Sequence, residues 1–247
     1  KTKLMDQTSR IFPVLPLRLR VTRPQPCAYL AGQQEQRLAG DISARPEEHD
    51  SLAEAGFRRV ENWVYKPACL HCQACQPIRV VASDFALSRN HKRVLSQNAD
   101  LTRTINDGSL TLEHYDIFQR YLGQRHEDGQ MASMSFDEFS AMISNSPIQT
   151  SLYEYRLANG QLAACVLTDL QRDGLSAVYS FFDTHPDMAK RSFGTFMILD
   201  LIRLSQKLEL PYLYLGYYVE QSQKMAYKAR FSPCQLFKNG KWETTSL

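Results

Sequence analysis

The sequence predicts an α+β protein in two unequal parts: a smaller N-terminal cysteine-containing region over residues 1–100, and a mixed sheet with flanking helices over 101–247. Three observations predict it. The second half reads in the order helix, helix, three-strand meander, helix, strand, helix, with the hydrophobic period switching between 3.6 and 2. The first half holds Cys69, Cys72 and Cys75 at the spacing C-x2-C-x2-C, in the run KPACLHCQACQPIRV. A length of 247 residues with 43% hydrophobic content suffices for one large core or two modest ones.

The stretch up to about Pro26 is rich in Arg and Pro, with weak periodicity. Pro46-Glu47-Glu48 opens a helix, with proline in the first turn and acids at the positive end of the dipole, and Gly56 closes it. FRRVENWVYKP reads as an aromatic strand feeding into the cysteine run, and IRVVASDF alternates as a strand after it. SRNHKRVLSQNADL follows and carries Arg89, Lys92 and Arg93. LTLEHYDIFQRYLGQRH has apolar residues at helical spacing, and Ser135 with Glu138 forms a capping box ahead of a second helix. SLYEYRLANGQLAACVLTDL is two strands around Asn159-Gly160, a strong hairpin signal, and Arg172-Asp173-Gly174 turns into the strand LSAVYSFFD. KRSFGTFMILDLIRLSQKLEL is a helix, PYLYLGYYV a strand and QSQKMAYKARF a short helix.

Clustered thiols suit a soft metal centre, zinc or an iron–sulfur cluster. Cys69, Cys72 and Cys75 leave one position to fill, and the donors at hand are Cys27 in PQPCAYL or His71 inside the run. Three reduced thiols in a tight turn is the plainer alternative. Cys165 and Cys234 sit in apolar segments and read as core. Six cysteines, three of them crowded, do not make a secreted disulfide framework. With no apolar run of membrane-spanning length and no signal-peptide core, a cytoplasmic protein with no membrane partner is expected. The net charge of +3 is too small to announce a nucleic-acid partner by itself.

The order of the second half is that of the GCN5-related acyltransferases, in which two neighbouring strands splay and the acyl donor enters between them. A phosphate-holding turn then falls at Lys190–Thr195, where Arg191 and Gly194 fit a helix N-terminus that takes an anion. Phe196 stands where a small residue would be needed beside a pyrophosphate, which disfavours coenzyme A; close helix–sheet packing is the plainer role for Gly194. Lys224 and Lys228 are four apart on a short helix with Tyr227 between them and Arg230 beyond, a pattern suited to a phosphodiester with a tyrosine to stack on a base.

The segments NWVYKPACLHCQACQPIRV, SRNHKRVLSQNADL, SFFDTHPDMAKRSFGTF and LYLGYYVEQSQKMAYKARFSP together resemble the arginyl-tRNA–protein transferase family, in particular its bacterial aspartate/glutamate leucyltransferase branch. The resemblance runs from about Pro24 to Trp242. It implies transfer of leucine from leucyl-tRNA to the N-terminal Asp or Glu of an acceptor protein, marking it for N-degron degradation. Arginyl-tRNA as donor, or a CoA-dependent N-acetyltransferase, are the alternatives. No cofactor is required, because the aminoacyl ester is already activated. The family's link to metal makes Cys27 with Cys69, Cys72 and Cys75 a four-thiolate site for an iron–sulfur cluster or zinc.

The attacking α-amine has an ordinary pKa of about 7.7–8.0, so the site must supply positioning, a proton acceptor and oxyanion donors. Asp183 or Glu220 is expected to hold the amine or take its proton, a turn aspartate being the alternative for Asp183. Either Tyr217 or Tyr218 faces the cleft, since successive residues alternate across a strand. Lys224, Lys228 and Arg191 are expected to hold the tRNA 3′ end, and Arg89, Lys92 and Arg93 its backbone. One of Arg58, Arg59 and Arg79 is expected to read the acceptor's carboxylate, unless they pair with local acids such as Glu61.

Overall fold

The computed structural model describes residues 16–125, 131 and 133–245. The first fifteen residues of the Arg/Pro-rich stretch lie outside them, as does the end of the helix expected to run to His126. A four-stranded sheet in the order β1-β4-β6-β5 forms the N-terminal layer, from β1 (Arg20–Val21), β4 (Arg37–Asp41), β5 (Arg58–Val60) and β6 (Trp63–Pro67). A small ladder of β2 (Gln25–Pro26) and β3 (Gln34–Glu35) sits beside it. FRRVENWVYKP, expected as one strand, is the β5–β6 hairpin; it turns at Glu61, whose φ of 49° is left-handed. Pro46–Glu48 forms a 3-10 turn leading into α1 (His49–Glu54), and Gly56 follows at φ 87°.

The main sheet has eight strands in the order β14-β13-β7-β12-β11-β10-β9-β8. Most come from the second half: β8 (Thr102–Ile105), β9 (Thr150–Arg156), β10 (Leu162–Gln171), β11 (Gly174–Phe182), β12 (Tyr212–Tyr218), β13 (Cys234–Lys238) and β14 (Lys241–Thr245). The exception is β7 (Gln76–Val81), which runs between β12 and β13 and is antiparallel to both. The core therefore crosses the sequence division near residue 100: Ile78, Val80, Phe85 and Val94 pack with Phe196, Leu199 and Ile202. Those last three belong to α5 (Phe193–Lys207), which covers one face beside α2 (Arg89–Gln97). The other face is covered by α3 (Leu112–Arg125) and α4 (Phe136–Ser144). There Phe118, Phe139 and Phe181 meet at centroid distances of 4.7–5.7 Å, mostly edge to face.

Local signals account for the elements. The α4 capping box forms as expected, with Ser135 Oγ accepting from the Glu138 N–H and the Glu138 carboxylate accepting from the Ser135 N–H. Gly160, at φ 85°, makes the β9–β10 turn. At Gly174 a Cβ would lie 2.5 Å from the Tyr212 carbonyl oxygen, so only glycine lets β12 approach β11 at that point. The two sheets are joined by a buried pair in which Arg59 on β5 donates to both oxygens of Asp169 on β10, at 2.8 and 2.6 Å.

The feature that positions the site lies between β11 and β12. They pair in parallel for three residues, Gly174–Ser176 with Tyr212–Tyr214, and then part. A backbone carbonyl on each strand past that point is met by a buried cation. Arg58 Nη2 donates to the Ala177 carbonyl at 3.0 Å, and Lys228 Nζ donates to the Tyr217 carbonyl at 2.7 Å. Gly216, at φ 83°, bulges β12 between them: its Cβ would sit 3.6 Å from Arg58 Nε and 3.7 Å from Lys228 Nζ.

Burial, with Arg58 beside it, brings the Lys228 ammonium down to about 7. The folded protein thus gives up this proton well before the unfolded chain does at about 10.4. The unfolded state binds more protons in that window, so stability rises with pH between about 7 and 10. Urea unfolding at pH 6.5, 7.5 and 8.5 should show wild type gaining on Lys228→Met by at most about 1.4 kcal/mol per pH unit above 7. Parallel pH profiles for the two proteins would contradict the burial argument.

Candidate active site

The cleft opens at the C-terminal end of β11, beside the segment that follows β12, the usual end for ligands in sheets with a parallel core. Its volume is about 820 Å³. Ser180, Phe182 and Asp183 form the floor, and Ser192 to Thr195 at the start of α5 close one end. Tyr121, Gln124 and Arg125 of α3 make one wall. The opposite wall is Lys224, Tyr227 and Arg230, from α6 (Gln223–Ala226) and the 3-10 turn Tyr227–Arg230. Asn90 and His91 enter from the N-terminal turn of α2.

Asp183 is the carboxylate on the floor, and its side chain is 5% exposed. Its N–H continues the β10 ladder to the Ala163 carbonyl, and its Oδ1 accepts the His185 N–H at 3.0 Å, so it also shapes the turn. Gln161 reaches Oδ2 only at 3.5 Å, and Arg120 Nη2 stands 3.9 Å from Oδ1. The neighbouring Thr184 hydroxyl is buried and lacks a hydrogen-bond partner among the described residues. Tyr121 stacks edge-on against Phe182 at 4.9 Å. Burial pushes the Tyr227 hydroxyl up to about 12, with Tyr121 contributing, so it is a neutral donor at physiological pH.

Several expected residues are elsewhere. Glu220 is exposed past the end of β12 and is not part of the cleft wall. Neither Tyr217 nor Tyr218 faces the cleft: the Tyr217 hydroxyl donates to the Tyr65 and Gly56 carbonyls, and Tyr218 packs in the core with α5. The reason is the Gly216 bulge together with the N-terminal sheet, which covers the Tyr217 face. Lys228 does not point outward with Lys224, because α6 ends after one turn and the chain tightens into 3-10 geometry. Arg191 turns away from the cleft to a bidentate pair with Asp100 and a 3.1 Å bond to Asn98, although Gly194 remains on the wall. Phe196 does not crowd the turn; its ring is buried against Tyr155 at 5.3 Å.

The three arginines expected to read an acceptor are all buried and engaged. Arg58 holds the β11 carbonyl and Arg59 holds Asp169. Arg79 bonds Gln235 and Tyr214 and lies 3.5 Å over the Tyr212 ring. Arg89, Lys92 and Arg93 are exposed on α2, beside the cleft residues Asn90 and His91. Sequence reading missed Tyr121, Gln124, Arg125 and His91. The first three follow from α3 periodicity: once Ile117, Phe118 and Leu122 are buried, residues 121, 124 and 125 fall on its polar edge.

A second cavity, of about 510 Å³, is lined by Cys27, Cys69, Cys72, Cys75 and Tyr217. Cys27, not the exposed His71, joins the three-cysteine run. Burial pushes the Cys75 thiol up to about 12, reinforced by the sulfurs of Cys27, Cys69 and Cys72. Backbone N–H groups of Tyr29 and Gln36 point at Cys27 Sγ (3.4 Å) and Cys69 Sγ (3.5 Å), as thiolates prefer. Among the described residues, no three His, Cys, Asp or Glu side chains converge closely enough as placed to hold a metal ion. No helix among them is long and apolar enough to cross a membrane.

Comparison with known proteins places this architecture. Residues 25–93 match the N-terminal model, and residues 113–238 the C-terminal model, of the arginine-tRNA-protein transferases. An aspartate/glutamate leucyltransferase of Caulobacter vibrioides is 45% identical over 242 residues, covering 95% of this chain and 86% of that one. One from Parvibaculum lavamentivorans is 44% identical over 243 residues, covering 97% and 98%. Among solved structures, the GCN5-related glucosamine N-acetyltransferase region of a fungal β-N-acetylglucosaminidase is similar with a TM-score of 0.43 and 10% identity, over 77% of this chain and 22% of that one. With both family models matched in order and relatives at 45% identity along nearly its whole length, the chain belongs to the arginine-tRNA-protein transferase family.

Proposed function

We propose that this protein transfers leucine from leucyl-tRNA to the N-terminal Asp or Glu of acceptor proteins, marking them for N-degron degradation in the cytoplasm, and that the cleft at the β11/β12 splay is where transfer occurs. The observation that carries this reading is one buried carboxylate, Asp183, on the floor of a cleft whose wall presents Lys224, Tyr227 and Arg230 together. A phosphodiester end with a terminal adenine suits that wall, the cations meeting phosphates and the tyrosine a base face. Relatives at 44–45% identity carry the name aspartate/glutamate leucyltransferase, which supports leucine as the transferred residue.

The chemistry asks little beyond positioning. The neutral α-amine of the acceptor attacks the ester carbonyl carbon, a C–N bond forms, and the C–O bond to the ribose breaks. Asp183 binds the acceptor's amino group, takes the proton that the attacking nitrogen loses and returns it to the ribose oxygen, which leaves as a hydroxyl. The Thr184 hydroxyl beside Asp183, without a partner among the described residues, donates to the developing oxyanion. Incubating the protein with labelled leucyl-tRNA, arginyl-tRNA or acetyl-CoA, against peptides beginning Asp, Glu, Lys or Arg, tests the reading. Leucine should appear on the Asp and Glu peptides alone. Asp183→Asn should lower the rate by about 100-fold or more, as loss of a general base does. Acetyl transfer, or transfer to Lys peptides, would refute it.

The cysteine cavity is proposed as a metal site. Cys27, Cys69, Cys72 and Cys75 line one cavity and would supply a thiolate set suited to zinc or an iron–sulfur cluster once their loops bring the sulfurs together. Bound there, the metal would cross-link the Cys27 loop to the segment that feeds β7. It would stabilise the cavity, and no step of the transfer passes through it. Metal analysis and an absorption spectrum of the anaerobically purified full chain should show about one metal site per chain. Changing Cys69 and Cys72 to Ser should abolish it and lower the melting temperature. A metal-free protein whose melting the double change leaves unaltered would remove the proposal.

A further inference from the structure

We propose that Arg120, a residue of α3, reads the side-chain carboxylate of the acceptor's N-terminal residue while Asp183 holds its α-ammonium; this rests on the reading of the cleft as the transfer site. The arginines that flank the cysteine run are unavailable for that task. Arg58, Arg59 and Arg79 are each buried and bound to a carbonyl, an aspartate or a stack of aromatic rings. Arg120 is different. It stands next to the cleft's lining rather than in it, its side chain is 57% exposed, and its one ion pair among the described residues is the long contact to Asp183, at 3.9 Å. That distance is beyond a hydrogen bond, so the guanidinium stands beside the carboxylate without being spent on it.

The charges of this pair are the complement of the substrate. An N-terminal Asp or Glu carries an ammonium and a carboxylate within a few bonds of each other. Seated at Asp183 and Arg120, it replaces one long contact with two charge-assisted ones, and the guanidinium fork can take the carboxylate through two N–H groups. Asp183 has room for this, since Oδ1 accepts one backbone N–H and Oδ2 has only the Gln161 amide at 3.5 Å. An N-terminal Asn or Gln keeps the ammonium and offers Arg120 no charge. An N-terminal Lys or Arg meets it with like charge. The same two residues therefore account for amine capture and for acidic selectivity.

The test measures kcat and KM for leucine transfer to Asp-, Asn- and Lys-starting peptides in wild type, Arg120→Lys, Arg120→Ala and Arg120→Glu. The preference for Asp over Asn should fall at least about tenfold in Arg120→Ala, through the peptide KM, with the leucyl-tRNA KM held. Arg120→Lys should retain part of the preference, and Arg120→Glu should shift it towards the Lys peptide. An unchanged Asp-to-Asn ratio in all three variants would overturn the proposal. Calorimetric binding of the same peptides without donor separates the two readings. If wild type prefers the Asp peptide and Arg120→Glu does not, acceptor recognition stands even should no leucine be transferred; equal binding by both proteins sinks it whatever the transfer assay gives.

Discussion

The structure turns on what happens to backbone carbonyls where β11 and β12 separate. Two neighbouring strands that stop pairing inside a core leave polar groups that water cannot reach, and each would cost one to three kcal/mol, roughly, if left unmet. Here the Ala177 carbonyl takes a guanidinium from the N-terminal sheet, and the Tyr217 carbonyl takes an ammonium from the C-terminal 3-10 turn. The separation is thus held open by residues from both ends of the chain. This explains why the N-terminal region contributes a strand to the middle of the main sheet and a cation beneath its cleft. Neither region could keep this geometry without the other.

β12 lines one cavity, and the chain that follows it lines the other: Tyr217 borders the space that holds the four cysteines, and Lys224 and Tyr227, beyond the strand's end, border the proposed transfer cleft. The Tyr217 hydroxyl is tied to Tyr65 and Gly56 of the N-terminal layer while its carbonyl is tied to Lys228. The cysteine run enters β7 directly, and β7 pairs with β12 from Tyr212 to Tyr218. Any ordering of the cysteine loops therefore acts on the strand that leads into the cleft wall, without a cysteine having to touch substrate.

Much of the fold was legible in the sequence because it is locally determined. The capping box at Ser135, the Asn159-Gly160 turn and the apolar period of α5 each specify their element without long-range help. The cysteine grouping was legible for the same reason, and Cys27 joined it across more than forty intervening residues. Side-chain destinations were less so, because they depend on partners far away. Lys224 and Lys228 share helical spacing, yet only Lys224 reaches the cleft, since the helix ends between them and the splay draws Lys228 inward. Arg59 looked like a surface reader and is instead the partner of Asp169, a residue 110 positions away. Arg120 passed unnoticed for the opposite reason: nothing in LEHYDIFQRYLGQRH marks it, and its meaning comes only from Asp183, brought beside it by the β10–β11 hairpin.

The distribution of charge follows from this division. Cations that the fold requires are buried with their partners fixed, and burial lowers the proton affinity of Arg58 and Lys228 alike. Cations left at the cleft, Arg125, Lys224 and Arg230, are exposed and face a single buried carboxylate. A polyanionic donor is drawn to such a rim by charge that needs no exact geometry. In the proposed transfer, an amine must instead reach one point, Asp183. Placing the negative charge inside and the positive charge at the edge sorts the two substrates before any bond is made. Because the ester arrives already activated, that sorting, with the alignment it gives, is the main task left to the protein.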